Sequence, residues 1–191
     1  MRIFCNIFAL FIIFVTVNGD CGVVTKREWD GLTPTHVEYL PRPVDLVIIQ
    51  HTVTPTCNTD SECVNIVRSI QTNHMDYLNY WDIASSFVIG GNGKVYEGAG
   101  WVHVGAHTLG YNRKSIGITF IGNYNKDTPK QASIDALKAL LRCGVENGHL
   151  TANYHIVGHK QLIATESPGR KLYQMIKGLP QWLENVNSIK N

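Results

Sequence analysis

The clearest hydrophobic pattern in the chain is a short apolar run that ends in polar residues. Residues 46–49 are Leu-Val-Ile-Ile, and Gln50, His51 and Thr52 follow directly. A continuous run of this length, rich in β-branched residues, predicts a strand buried on both faces. Ligands of open α/β sheets bind just beyond the carboxyl ends of strands. The pattern therefore predicts a site at this strand end, where Gln50 and His51 contribute to holding either a metal or a ligand.

Further strands are predicted where short apolar or alternating runs lie between turn signals. They are an edge strand at 23–29, a hairpin formed by 86–90 and 94–97, a strand at 115–122 and a last strand at 154–159. Gly-Asn-Gly joins the two arms of the hairpin, because Asn and Gly tolerate the positive φ angles of tight turns. The loop that follows, 98–112, is long, and long ordered loops are often functional.

Three helices are predicted from apolar spacing and from end signals. The first starts at Thr59 or Asp60 and carries an apolar stripe that ends in His74. The second has a capping box with Thr128 as N-cap, and it stops before Gly148. The third follows residues 165–169. Strands interspersed with three helices predict the α/β class, with a central mixed β-sheet flanked by the helices.

Composition and charge limit the possible classes of function. The chain has 191 residues, of which 44% are hydrophobic and 17% are charged, as is typical of one globular domain. The formal net charge is +2, and no run of Lys and Arg occurs. Nothing in this balance indicates a nucleic-acid partner.

The N-terminus has the pattern of a secretory signal. Arg2 precedes an apolar run that extends to Val17, and small residues follow at Asn18-Gly19. We expect residues 1–19 to be a signal peptide and residues 20–191 to be the mature, secreted and extracellular domain. A membrane anchor is the alternative, but the run is shorter than the roughly 20 residues that a span requires. No association with a membrane is expected.

Cysteine usage agrees with secretion. Cys21, Cys57, Cys63 and Cys143 remain after the signal, and an even count predicts two disulfides with three possible connectivities. Cys57 and Cys63 enclose a polar loop of five residues and form the favoured pair, which leaves Cys21 with Cys143. Zinc held by four thiolates is the rival, and the absence of any Cys-x-x-Cys pair argues against it.

Polar residues gather at several element ends. His51 and His159 end two predicted strands, and further polar residues occur in segments 79–85, 101–112 and 165–167. A single histidine in such a place is more often a surface or packed residue than a ligand contact. If all of these segments meet at one end of the sheet, however, they line a groove.

The chain resembles the peptidoglycan recognition proteins of the short secreted type. These proteins are related in fold to the bacteriophage T7 lysozyme-like, type-2 N-acetylmuramoyl-L-alanine amidases. The resemblance covers nearly all of residues 20–191 in order, and it implies both disulfide pairs favoured above. The motifs that carry it are Arg27-Glu28-Trp29, Val95-Tyr96-Glu97-Gly98, Gly100-Trp101, Gly105-Ala106-His107, Ser115-Ile116-Gly117-Ile118, Gly158-His159 and Ser167-Pro168-Gly169.

The resemblance also implies a comparison of catalytic positions. In the amidases, a histidine, a second histidine and a cysteine bind zinc, at the positions held here by Gln50, His159 and Ser167, and a catalytic tyrosine stands at the position of Ser85. An amide and a hydroxyl are poor zinc donors beside imidazole and thiolate. We therefore predict no metal, no cofactor and no amidase activity. The alternatives are a residual amidase and a serine-type peptidase of the stem peptide, with Ser167 near His159 as nucleophile and base.

For the ligand, the resemblance implies a muramyl peptide of bacterial peptidoglycan in an extended cleft. Asn79-Tyr80 is similar to the Asn-Phe pair that accompanies lysine-type peptidoglycan, so lysine-type ligand is favoured over diaminopimelate-type. The resemblance further implies an innate immune receptor that starts a protease cascade leading to Toll signalling or melanisation. Its protein partner would be another secreted recognition protein or a protease. The predicted ligand contacts are His51, His74, Asn79, Tyr80, Ser85, His107, Asn112 and His159.

Overall fold

The computed structural model describes residues 21–190, so the predicted signal peptide at 1–19 lies outside the described residues. Within these residues the main elements are six strands and three α-helices. The strands are β1 (Val23–Val24), β2 (Val44–His51), β3 (Phe87–Ile89), β4 (Val95–Glu97), β5 (Ile116–Phe120) and β6 (Leu150–Gly158). The helices are α1 (Asp60–Thr72), α2 (Gln131–Glu146) and α3 (Arg170–Ile176).

The strands form one mixed sheet in the order β1-β4-β3-β5-β2-β6. Only the β3–β4 hairpin is antiparallel, and the other neighbouring pairs are parallel. This confirms the predicted α/β fold with a central mixed sheet and three helices. β2 lies between β5 and β6, and its residues 46–49 are buried, as the continuous apolar run requires.

The helices cover the two faces of the sheet unequally. Val47 and Ile49 of β2 pack in one cluster with residues of α2 and α3, which cover the first face. On the second face, α1 packs through Val67 over the β3–β4 hairpin. The segment after α3 packs on the same face through Val186, against β2 and β6. The part of the second face between these two clusters carries the polar residues described below.

Both predicted disulfides are present. Cys21 is bonded to Cys143 across 122 residues of sequence, and Cys57 to Cys63 across 6. The first bridge ties the chain before β1 to α2, and the second lies just before and within the first turn of α1. None of the helices in the described range, 21–190, is both long and apolar enough to cross a bilayer.

The N-cap of α1 is Thr59, one of the two residues predicted to start the helix. Its side chain accepts from the backbone N–H of Glu62, and the Glu62 carboxylate accepts in return from the N–H of Thr59. The predicted apolar stripe ends in His74, but the regular α-helix ends before that residue, at Thr72. It passes into a π-helical turn, Asn73–Tyr77, in which Leu78 N donates to Asn73 O at 3.2 Å.

The predicted capping box of α2 is wrong. The N-cap is Lys130, whose backbone is extended and whose side chain makes no capping bond. Residues 128–130 stay outside the helix because Pro129 is buried against the body of the protein and Lys130 Nζ donates to Asn58 Oδ1 at 2.6 Å. Gly148, with φ of 69°, follows the end of the helix as predicted.

The edge strand predicted at 23–29 is also too long. Only Val23 and Val24 pair with β4. The chain then turns away from the sheet at Thr25, where Glu28 N donates a hydrogen bond to Thr25 O. Trp29 then becomes fully buried, and its Nε1 donates to Glu97 O at 3.0 Å.

Candidate functional site

A groove of about 610 Å³ lies on the second face of the sheet, beside α1. Its floor is formed by residues of β2, β3 and β5, and its walls by the π-helical turn, the loop before β5 and the segment before α3. We call it the histidine groove. The predicted contacts that line it are His51, His74, Tyr80, Ser85, His107 and His159, together with Gln50 and Ser167.

Gln50 sits in the floor of the histidine groove, and its side-chain amide is hydrogen-bonded at both ends. Its Nε2 donates to His107 O at 2.8 Å and to Thr108 Oγ1 at 3.2 Å. Its Oε1 accepts from Thr119 Oγ1 at 3.1 Å. The carbonyl of His107 can only accept, so the orientation of the amide is fixed.

Ser85 completes this chain of hydrogen bonds. Its Oγ lies 2.6 Å from Thr119 Oγ1. The single hydroxyl hydrogen of Thr119 is given to Gln50, so Ser85 is the donor to Thr119. Gln50, Ser85 and Thr119 are all at least nine-tenths buried, with relative exposures of 7%, 5% and 8%. The chain thus links β2, β5 and the segment before β3 to the loop that carries His107.

His107 lies flat on the sheet because residue 117 has no side chain. A Cβ at Gly117 would come within 2.3 Å of the His107 ring, and one at Gly105 within 2.9 Å. The imidazole Nδ1 is 3.1 Å from Thr108 Oγ1, while the buried Nε2 has no hydrogen-bond partner among the described residues. The imidazole is therefore part of the floor of the histidine groove, with its Nε2 closed off from solvent.

His51, His159 and Ser167 meet at the end of β2. His51 alternates to the face opposite Gln50, and its Nδ1 accepts from Tyr124 N at 3.2 Å. Ser167 Oγ accepts from His51 N at 3.2 Å, so the serine hydroxyl is held against the β2 backbone. His159 begins the 3-10 turn after β6, and its buried Nε2 finds no partner within residues 21–190.

His74 and Tyr80 form the wall beside α1. His74 Nδ1 accepts from Ala84 N at 3.0 Å, and Tyr80 N donates back to His74 O at 2.9 Å. A histidine that accepts through Nδ1 carries its proton on Nε2 when neutral, and the same holds for His51. The two rings of His74 and Tyr80 lie 5.7 Å apart, and Tyr80 is 38% exposed.

A second cavity of about 420 Å³ adjoins the histidine groove at Tyr80 and Ala106. We call it the side hollow. Asn79 and Asn112 line this hollow and not the groove itself. Asn79 has a φ of 54°. Asn112 Oδ1 accepts a hydrogen bond from Thr108 N at 2.7 Å. The family resemblance implies one cleft for all eight contacts, whereas the structure distributes them over two adjoining cavities.

One ion pair stands at the rim of the side hollow. Arg113 Nε and Nη2 bind the two carboxylate oxygens of Glu38 at 2.6 and 3.0 Å. The hydrogen bond from Arg113 holds the pKa of the Glu38 carboxyl below its usual value. Arg113 is the one arginine or lysine among the described residues that line the hollow, and its charge is already matched.

Burial keeps the histidines of the groove neutral. Burial, with a smaller contribution from the neighbouring His159, lowers the pKa of His107 to about 4. Burial also lowers the pKa of His159 to about 4, with a contribution from His51. The pKa values of His51 and His74 are lowered by burial as well, against the weaker effect of Glu166 and Asp82 respectively. At neutral pH the groove thus presents uncharged donors and acceptors.

The residues present do not fit the zinc ion that the amidase resemblance implies. Both ends of the Gln50 amide are occupied by protein groups, and the Ser167 hydroxyl has too high a pKa to supply an anion. His159 is the one good donor of the three. Within the described part of the chain, no group of three or more His, Cys, Asp or Glu side chains is arranged to hold a metal ion.

Sequence reasoning missed the role of Thr119 and of the His107 carbonyl. Thr119 lies inside an apolar strand and carries no motif, but its register opposite Gln50 in β5 would have indicated the contact if the strand pairing had been known. Val53, with a φ of 62° and 60% exposure, also lines the groove, and no sequence signal marked it.

Comparisons with known proteins agree with this geometry. The family described as N-acetylmuramoyl-L-alanine amidase matches residues 40–171. A peptidoglycan recognition protein of Trichoplusia ni is 78% identical over 179 residues, which cover 94% of this chain and 98% of the relative. Peptidoglycan-recognition protein SA of Drosophila melanogaster is 43% identical over 160 residues, covering 84% and 79%.

Solved structures give the same result. Manduca sexta Peptidoglycan Recognition Protein-1 is 60% identical, with a TM-score of 0.85 over 88% of this chain and 96% of that one. Peptidoglycan recognition protein-LE, solved in complex with tracheal cytotoxin (monomeric diaminopimelic acid-type peptidoglycan), is 39% identical, with a TM-score of 0.83 over 85% and 96%. The chain therefore belongs to the N-acetylmuramoyl-L-alanine amidase family, and within it to the short peptidoglycan recognition proteins.

Proposed function

We propose that this protein is a secreted, non-catalytic receptor that binds the muramyl peptide of bacterial peptidoglycan in the histidine groove and the side hollow. The observation that carries the proposal is the hydrogen-bonded chain Ser85–Thr119–Gln50–His107 O at the positions where an amidase keeps its tyrosine and a zinc ligand. A stem peptide is rich in amides and carbonyls, and neutral side chains at fixed positions suit such a ligand. The neutral histidines described above are groups of this kind.

The non-catalytic assignment rests on the donors at the centre of the groove. Gln50 and Ser167 are hydrogen-bonded to protein groups, which leaves no water-activating metal for amide hydrolysis. For the serine-type peptidase, the relevant observation is that His159 Nε2 has no partner among residues 21–190, so it is not hydrogen-bonded to Ser167 Oγ. A base that does not contact its nucleophile does not activate it in this state.

A preference for lysine-type ligand is the finer part of the proposal. Diaminopimelate differs from lysine by a carboxylate on the ε carbon, which needs a cation in the protein. Arg113 could supply one at the side hollow only by giving up its bidentate pair with Glu38. Asn79 and Tyr80 offer neutral groups beside it. The relative in complex with diaminopimelic acid-type peptidoglycan supports muropeptides as the ligand class.

The remaining parts concern location and signalling. Residues 20–191 would form the mature recognition domain after removal of residues 1–19, and two disulfides suit an oxidising, extracellular compartment. Ligand binding would then be relayed to a secreted recognition protein or protease of an immune cascade of the Toll or melanisation type. The names of the relatives support the recognition role.

The test is calorimetric titration of the protein with purified lysine-type and diaminopimelate-type muramyl pentapeptides, with mass spectrometry of the ligand afterwards. We expect binding of both, tighter for the lysine type, and no released product. A variant Arg113→Ala leaves Glu38 unpaired and should weaken diaminopimelate binding further. Cleavage between muramic acid and alanine would establish an amidase, a shortened stem would establish a peptidase, and tighter diaminopimelate binding would refute the proposed preference.

A further inference from the structure

β6 is the last strand of the sheet, and only part of its outer edge is paired. Ile156 N donates to Gln181 O at 2.8 Å, and Ile156 O accepts from Leu183 N at 3.0 Å. His155 is in register with Leu46 of β2, and the register of the two strands shifts between Leu150 and His155. The C=O of Tyr154, which directly precedes His155, therefore faces away from β2. The C-terminal segment does not reach it, because Trp182 N turns back to Leu179 O at 3.1 Å.

A groove of about 600 Å³ lies at this edge, between α2 and residues 179–181. We call it the α2 groove. Leu141, Tyr154 and Ile156 form a buried apolar floor, and Lys138 and Arg142 stand exposed on its α2 side. The two basic residues are four apart on the helix and therefore lie on one face.

The charges at the rim of the α2 groove are not matched within the protein. None of the salt bridges formed by residues 21–190 includes Lys138, Arg142 or Glu146. Two positive groups and one negative group line the groove, so its rim is positive by one charge. An open strand edge next to an apolar floor with a basic rim is the arrangement that accepts an added strand carrying acidic residues.

We propose that the α2 groove binds an extended, acidic segment of a partner protein, which adds to β6 as an outer strand. A second copy of this chain fits less well, since a symmetric contact across β6 would bring Lys138 and Arg142 of both copies together. The α2 groove is on the face of Val47 and Ile49, and the histidine groove is on the opposite face with Gln50. Ligand and partner can therefore be bound at the same time.

The probe is a fluorescein-labelled decapeptide of alternating valine and glutamate, titrated with the full chain and followed by fluorescence anisotropy. We expect binding that is lost when the glutamates are replaced by lysines. N-methylation of alternate peptide bonds removes backbone donors without changing charge, and it should also abolish binding. Equal binding of the lysine peptide or of the N-methylated peptide would overturn strand addition at a basic rim.

Charge reversal locates the site on the protein. Lys138 and Arg142 are exposed, so replacing both by glutamate should leave the fold intact. The double variant should bind the peptide about tenfold more weakly, because each ion pair lost with a peptide glutamate contributes up to ~1 kcal/mol. The control is Arg27→Glu, the reversal of one charge at an exposed residue beside the opposite edge of the sheet, which should have no effect. Unchanged peptide binding in the double variant would overturn the proposal, as would sedimentation velocity showing a dimer of the chain formed through this edge. Muropeptide titration of the same variants should be unchanged, which separates this test from that of the proposed function.

Discussion

Replacing Thr119 by valine tests whether the buried hydrogen-bond chain organises the histidine groove. The substitution keeps the shape of the side chain and removes one hydroxyl. Ser85 Oγ then loses its acceptor and Gln50 Oε1 loses its donor, in positions only 5% and 7% exposed. A buried polar group left unpaired costs about 1–3 kcal/mol, and Ser85 can turn toward the groove, so we expect a loss of about 2 kcal/mol in the free energy of unfolding.

The assay is urea unfolding followed by tryptophan fluorescence, with both disulfides intact. A fall in the midpoint at unchanged slope reports lost stability and not a change in the unfolded state. Gln50→Leu and the double variant complete a mutant cycle. Because Thr119 and Gln50 are directly bonded, Thr119→Val should cost about 1–2 kcal/mol less in the Gln50→Leu background.

The matched control is Thr128→Val, at an exposed threonine, which should change stability by no more than about 0.5 kcal/mol. Additive effects of Thr119→Val and Gln50→Leu would refute the chain as a coupled unit. A stability of Thr119→Val equal to that of the control would show that the buried hydroxyl has no structural role.

Three further predictions concern pH, the disulfides and a helix cap. His107 and His159 have pKa values lowered from 6.5 to about 4. The unfolded chain therefore binds protons there that the folded chain does not. The free energy of unfolding should be highest above pH 6.5 and fall toward pH 4, by up to roughly 3 kcal/mol for the buried His107 and by less for the more exposed His159, as measured by urea unfolding at several pH values. Replacing both cysteines by alanine should cost ~5 kcal/mol for Cys21–Cys143 and ~2 kcal/mol for Cys57–Cys63, because the closed loops span 122 and 6 residues. Thr59→Ala should lower the midpoint by the equivalent of about 1 kcal/mol.

Each of these predictions has its own control. His107→Phe removes one of the two titrating rings and should shallow the pH dependence; an unchanged profile would contradict the assignment. If removal of either disulfide lowers the free energy of unfolding by the same amount, loop length does not decide how much each disulfide contributes to stability. For the helix cap, Thr72→Ala changes an exposed threonine at the other end of α1, and it should be near neutral.

The fold was predictable where local signals and burial agree. The apolar run at 46–49 and the Gly-Asn-Gly turn each specify one structure, and both appear as β2 and the β3–β4 hairpin. The start of α2 was not predictable, because Thr128 and Pro129 satisfy the local rules for a cap. What overrides them is long-range: Pro129 is buried, and Lys130 contacts Asn58, which is 72 residues away.

The site was predictable as a set of segments but not as a set of contacts. Strand ends and loops with polar residues indicated which parts of the chain meet. Which atoms meet depends on register: Thr119 contacts Gln50 because β5 and β2 are parallel neighbours with these residues opposite. Likewise, the division between the histidine groove and the side hollow depends on the path of the loop before β5, which periodicity does not report.

Gly117 shows how a site can depend on atoms that are missing. The usual mutational scan replaces each side chain by alanine and treats the loss as the contribution of that residue. At position 117 the same scan adds a methyl group, into space that the His107 ring occupies at 2.3 Å. The variant would displace an imidazole without touching any ligand. A map of binding drawn from alanine variants would therefore mark this glycine as a contact, when its part is to leave room for one.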